Sequence, residues 1–341
     1  AEWQDRIVSL GNRFMAQPGH AKALDLLRQA YRDAGLEIYE LDSFAPAPVT
    51  AYREISMAEE NDPLFGQPLP DVEIFPFQPN HTQPVVTPEE GLTGELVLMT
   101  TETLLMRPRF DDCIGLIDTR DGQWSREFGF NWKLYAGLGV KALIVANPEG
   151  IDKIAWHRVA VQINAILASV PVNYVRLAAT SNIFDYLGRT IRLRVRVNFQ
   201  NVRHTSILGV MRAETPASEA LILPTYYDAM SVLPDRSPGT MQAISIGTQL
   251  CLLEGMKAYR SSIKRDVIFA GFGAQMMNGA CLNALLSVLG IHGAQGDENA
   301  LVKAFQFGEA RQLAELEARQ ASSENRRRPL RTDQLEHEHK L

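Results

Sequence analysis

The chain has 341 residues, 45% of them hydrophobic and 22% charged, enough apolar content to bury a large core in two domains. Its formal net charge of −6 offers no basic surface of the kind that nucleic acid requires, and no stretch approaches the ~20 apolar residues of a membrane span. Cys113, Cys251 and Cys281 have neither CxxC nor zinc-finger spacing, which excludes a disulfide scaffold.

Residues 3–36 read as largely helical. In PGHAKALDLLRQAYRDAGLEIYEL, Leu24, Leu27, Tyr31 and Ala34 share one face, with Lys22, Asp25, Gln29 and Asp33 opposite. Gly35 is a C-cap and LEIYEL a strand. Residues 44–94, rich in Pro, Asp, Glu and Asn, predict extended connections and short edge strands with no long helix; Asn80 opens an NHT sequon. From 95 to 200, GELVLM, CIGLIDTRDG, ALIVANPEG and VPVNYV are strand-like runs bounded by turn residues, and WKLYAGLGVKA is a helix between two of them. IRLRVRVNFQ alternates, with Ile191, Leu193, Val195, Val197 and Phe199 to one side and Arg192, Arg194 and Arg196 to the other. That is a half-exposed strand with a solvated arginine face.

Residues 204–290 alternate strand and helix: TSILGVMR, ALILPTYYD, the helix GTMQAISIGTQLCLLEGMKAY, RDVIFAGFGA and the helix MMNGACLNALLSVLG. Such alternation predicts a sheet covered on both faces, with Cys251 and Cys281 in the core. The run EALILPTYYDAM reads as a buried strand that stops at Asp228 and opens into a loop. Residues 301–321 predict a helix. The last 20 residues, with the basic cluster ENRRRPLR and with His337 and His339, predict a polar tail. His20, His157 and His204 stand apart in the sequence and read as structural or exposed rather than as ligands. The first residue is Ala1 rather than Met, which leaves room for a processed leader or anchor.

This order of segments resembles the di-zinc aminopeptidases of metallopeptidase family twenty-eight, a family that also contains inactive members. GNRFMAQPGHAKALDLLRQAYRDAGLEI is similar to the family's opening, where Gly-Ser-Arg precedes Pro-Gly and a helix ending in Gly-Leu. CIGLIDTRDG followed by YAGLGVKALIVANPEG resembles the protease-associated domain that many members carry as an insert. The run from NVRHTSILGVMR through EALILPTYYDAM to GTMQAISIGTQLCLLEGM is similar to the start of the peptidase core, and RDVIFAGFGAQMMNGACLN resembles the strand that carries the family's Gly-Ala-Glu-Glu. The resemblance covers about residues 1–290. It implies a mixed α/β sheet with helices on both faces, built from 1–45 and 200–300. A connecting segment and a β-rich protease-associated insert would fill 46–199, and a helix and tail 301–341.

Two-zinc hydrolysis needs nitrogen and oxygen ligands, a metal-activated water and a carboxylate base. The family supplies a His-x-Asp after one strand, a bridging Asp in a Pro-Gly-x-x-Asp run, and a Glu-Glu pair after the next strand. Carried over by resemblance, these positions hold Tyr226 for the His, Gln242 for the bridging Asp, Gln275 for the base and Met276 for the ligand; Asp228 alone is kept. Gln cannot take a proton from water at neutral pH, and Met is a soft ligand unsuited to hydrolytic zinc. The resemblance therefore implies a peptidase-like domain without its metal or cofactor. It would serve as a peptide- or protein-binding or scaffold module outside the cytoplasm, in partnership with a membrane protein. Tyr226, Tyr227, Asp228, Gln242 and Gln275 would line its cleft. The alternative is a zinc aminopeptidase with an altered site.

Overall fold

The computed structural model describes residues 2–77, 84–120, 132–154, 174–215, 219–237, 239–277 and 279–292. The expected helix at 301–321, the polar tail with His337 and His339, His157 and the Asn80 sequon lie outside them.

The chain opens with helix α1 (Glu2–Val8) and helix α2 (Pro18–Asp33). Residues 9–17 are not helical, so the expected helix is two helices with a loop between. The break has a steric cause. Pro18 sits in the first turn of α2, where its missing N–H costs nothing, and a Cβ on Gly19 would lie 2.3 Å from the Asn12 carbonyl oxygen. Leu27 and Tyr31 are fully buried, as the periodicity required.

Strand β1 (Glu37–Met57) does not stop where LEIYEL stops. It continues through APAPVT and pairs antiparallel with β7 (Thr190–Met211), from Glu37↔Val210 to Met57↔Ile191, with one irregularity between Thr50 and Tyr52. The two strands read separately at 191–200 and 205–212 are thus one. Pro46 and Pro48, two residues apart, direct their missing N–H groups to the same side, away from β7, where β1 has no partner strand among the described residues and proline is tolerated. Ile191, Leu193, Val195 and Val197 are buried as expected, but Phe199 is 38% exposed. It lies where β1 and β7 run as a ribbon between two groups of strands.

One group is β2 (Ile74–Pro76), β3 (Leu92–Leu98), β4 (Cys113–Asp118), β5 (Ala142–Ala146) and β6 (Val175–Ala179). β3 to β6 pair in parallel, and β4, β5 and β6 are buried almost throughout, which explains their unbroken apolar runs. Helices α3 (Thr101–Met106) and α4 (Trp132–Gly137) accompany them. The other group is β8 (Ala220–Tyr226) and β9 (Asp266–Phe272), parallel to each other, with β9 antiparallel to β7. Among the described residues the sheet runs β2-β6-β5-β4-β3-β7-β9-β8, with β1 also on β7. It is a nine-stranded mixed sheet.

Helices cover both faces beside β7, β9 and β8. α2 and α5 (Thr240–Lys257) share one apolar cluster with Ile207, Val267 and Phe269, and α6 (Ala280–His292) shares another with Leu208, Ala270 and Phe272. Two expectations fail here. β8 is the last strand in the described order, and Leu221 and Ile222, on its opposite faces, are 51% and 44% exposed. Cys251 is exposed on the outer side of α5, whereas Cys281 is buried.

The loop after β8 joins the two groups. Val232 and Leu233 insert into the apolar cluster around Phe75, Phe77 and Tyr174, and Arg236 lies 5.3 Å over the Phe75 ring. Where α2 meets the sheet, a Cβ on Gly209 would come within 2.7 Å of both Tyr31 and Leu36. Gly209→Ala is therefore expected to cost about 1–3 kcal/mol, read as a lower urea midpoint with unchanged slope; an unchanged midpoint would show that α2 does not press on β7.

Candidate functional site

The residues singled out by sequence meet where β8 and β9 end. Parallel strands carry their chain to the same end of a sheet, so β8 delivers Tyr226–Asp228 beside the Gly273–Met276 turn after β9. The Tyr227 amide donates to the Phe272 carbonyl at 2.9 Å, extending the ladder by one step. Side chains then alternate. Tyr226 goes to the α6 side, in the cluster with Phe272, Cys281 and Met276. Tyr227 goes to the α2 side, where its hydroxyl donates to the Thr205 carbonyl at 2.7 Å.

Asp228 is completely buried. Its Oδ2 accepts the Gln275 amide N–H at 2.9 Å, and its Oδ1 has no hydrogen-bond partner. Burial pushes its carboxyl up to about 7 from an ordinary 3.8, against the pull of that N–H and of nearby Arg13. The turn around Gln275 depends on Ala274, held at φ 57 in the left-handed region. Gln275 and Met276 are half-buried, and the Gln275 Oε1 is buried without a partner. Tyr226 is half-buried, its ring centroid 6.1 Å from that of Phe272. A Cβ on Gly279 would lie 2.8 Å from its hydroxyl, so the phenol rests on the chain just before α6. Gln242 is half-buried in the first turn of α5.

The corner therefore joins Asp228 to Gln275 and sends Tyr226 and Met276 into apolar packing. Among the described residues, no three His, Cys, Asp or Glu side chains lie together in a way that could hold a metal ion. A carboxamide, a thioether and a neutral phenol beside one carboxylic acid do not fit a zinc pair. Clefts of about 340, 480 and 520 Å³ do exist, between α1, α2 and α5, beside Arg192 and Arg194, and beside Lys141. None is lined by Tyr226, Asp228, Gln242 or Gln275.

Three buried residues that sequence reasoning did not place at this corner surround it: Arg13, which it passed over, and His20 and His204, which it named apart from the site. Arg13 is fully buried. It donates from Nε to the Tyr227 carbonyl at 3.3 Å, from one terminal nitrogen to the Ile7 carbonyl at 3.2 Å and from the other to the Gly239 carbonyl at 2.8 Å. Its own backbone bonds Ser237 and Ala229. Burial lowers it to about 10, so it stays charged at neutral pH. His20, near the start of α2, and His204, on β7, bring Nε2 and Nδ1 to 3.4 Å behind Tyr227. Burial lowers both to about 4, and for His20 the neighbouring imidazole adds to it. They lie 184 positions apart, and no local pattern pairs them.

No protein-family model and no curated protein matches the sequence. Solved structures do match the fold. A structure titled "Peptidase M28 precursor", from Shewanella amazonensis, superposes with a TM-score of 0.53 at 14% identity, over 85% of this chain and 67% of that one. A zinc aminopeptidase from Bacillus subtilis superposes with a TM-score of 0.50 at 16% identity, over 89% of this chain and 65% of that one. The chain thus has a zinc-aminopeptidase-like α/β fold and spans about two thirds of the length of these structures.

Arg13→Ala removes the buried guanidinium and its bonds to three carbonyls, of which Ile7 and Gly239 keep the Leu10 and Ala243 N–H groups, so a loss of about 3 kcal/mol is expected in urea unfolding; a loss below ~1 kcal/mol would mean water replaces the guanidinium. Asp228 and the histidines have opposite pH signatures. Asp228, with a folded value of about 7 against 3.8, contributes stability that is full below about 4 and lost as pH rises to 7. His20 and His204, near 4 against 6.5, contribute stability that is full above 6.5 and lost as pH falls through 4. Asp228→Asn keeps an oxygen for the Gln275 N–H, so its stability relative to wild type should rise between about pH 5 and pH 8. A difference that does not change with pH would sink the buried-acid assignment.

Proposed function

We propose that this chain is a non-catalytic, peptidase-like protein-binding scaffold. One observation carries the reading: at the strand ends where the aminopeptidase resemblance puts a metal ligand and a general base, Tyr226 packs against Phe272 and Gln275 bonds Asp228 through its backbone. A base must be able to take a proton from water, and an amide cannot. Asp228 is fully buried and held by the Gln275 N–H, which suits a structural acid rather than a metal ligand.

In this reading the β3–β6 group with α3 and α4 is a protease-associated insert. It grips the peptidase-like core through the loop carrying Val232 and Leu233. The extracytoplasmic setting and the membrane-protein partner come from the resemblance to inactive family members.

The test is dialysis of the full chain against zinc, metal analysis, and assay on aminoacyl-p-nitroanilides. Sub-stoichiometric zinc and no turnover above buffer are expected. Stoichiometric zinc with turnover, lost in Gln275→Ala or Asp228→Ala, would establish an altered aminopeptidase instead.

A further inference from the structure

Helix α5 has an apolar inner face, with Ala243, Ile246, Leu250 and Leu253 buried against the sheet and α2. A helix with one face in the core ordinarily turns charge to the solvent on the other. α5 does not: of its 18 residues, TMQAISIGTQLCLLEGMK, only Glu254 and Lys257 are charged. Its outer face is a stripe of Met241, Ile244, Thr248, Cys251, Leu252 and Gly255, all exposed, with Met241 73%, Ile244 47% and Leu252 46% exposed. These positions recur at helical spacing over ~21 Å, at ~1.5 Å per residue. Gly255 leaves a dent, since a Cβ there would meet nothing within 4 Å.

Reversed end for end, the stripe matches itself. With Thr248 at the centre, Met241 falls opposite Gly255, Ile244 opposite Leu252, Thr248 opposite Thr248, and Cys251 opposite the small, exposed Ser245. The longest side chain meets the dent, the two branched residues meet each other, and the small residue sits at the crossing. A face that fits its own reverse without opposing like charges is what an isologous twofold contact requires.

We propose that α5 packs antiparallel on α5 of a second copy of the chain, about a twofold axis at Thr248. Met241 then sits over Gly255 of the partner subunit, and Ile244 over the partner's Leu252. One helix pair buries less than the ~800 Å² per partner of a standard interface, so the dimer is concentration-dependent. The proposal does not rest on the loss of hydrolysis and stands or falls separately from it.

Cys251 supplies the probe, because the chain's other two cysteines are buried. Light scattering and sedimentation of the full chain across a dilution series would be combined with the rate of Cys251 reaction with Ellman's reagent. The expected result is a monomer–dimer equilibrium with Cys251 protected in step with dimer formation. Ile244→Glu and, separately, Thr248→Arg should weaken the dimer by about tenfold or more, with fast thiol reaction at all concentrations and unchanged circular dichroism. Three results would overturn it: a monomer with fast Cys251 throughout, a monomer with Cys251 protected, or a dimer indifferent to both substitutions. Flotation of the wild type with phosphatidylcholine vesicles, lost in Ile244→Glu, would identify lipid as the occupant and also overturn it.

Discussion

A guanidinium with no solvent exposure organises the end of the sheet. Arg13 reaches carbonyls of α1, of the β8 terminus and of the residue before α5, three segments that share no ladder. A buried cation is tolerable only when its donors are matched. Each of those carbonyls is thereby fixed in position relative to the others. Gly239, at φ 64, completes the arrangement, because a Cβ there would lie 2.5 Å from the Ala229 side chain and 2.8 Å from Arg13. The corner at Asp228 inherits its geometry from this clamp.

That geometry differs from the one two-zinc hydrolysis needs. A hydrolytic centre keeps its polar atoms aimed at an open space where a substrate can sit. Here the Asp228 carboxyl is sealed, its neighbour is an amide, and the ring of Tyr226 fills space on the α6 side. The two histidines near the corner are displaced behind Tyr227 and held neutral by burial. What remains is a polar knot inside an apolar wall, several of whose oxygens have no partner, set in a fold whose solved counterparts are peptidases.

The alternation of strand and helix over 204–290 was legible because each element carries its own period, and the parallel strands because burial on both faces leaves an unbroken apolar run. The fold brings Tyr226, Asp228 and Gln275 together because β8 and β9 are parallel and end together; they were legible as one corner only through the resemblance. The length of β1 and β7 was not, since pairing is a property of two segments and Pro46 and Pro48 read as breakers in isolation. Arg13 looks like any surface arginine in GNRF; its burial is decided by carbonyls that only the folded chain assembles. The exposure of Leu221 and Ile222 was hidden for the opposite reason: an apolar strand looks the same at the end of the described strand order as in its middle.

The β1–β7 pair also constrains how the molecule can come into being. Met57 must find Ile191, and Glu37 must find Val210, with the whole β3–β6 group lying between them in the chain. Closing so long a loop before that group has collapsed would cost entropy with little return. The intervening segment is thus placed to fold first and bring the two long strands into register, from the Met57 end towards Glu37. During synthesis β1 would emerge early and wait unpaired for β7, a long strand with an open edge.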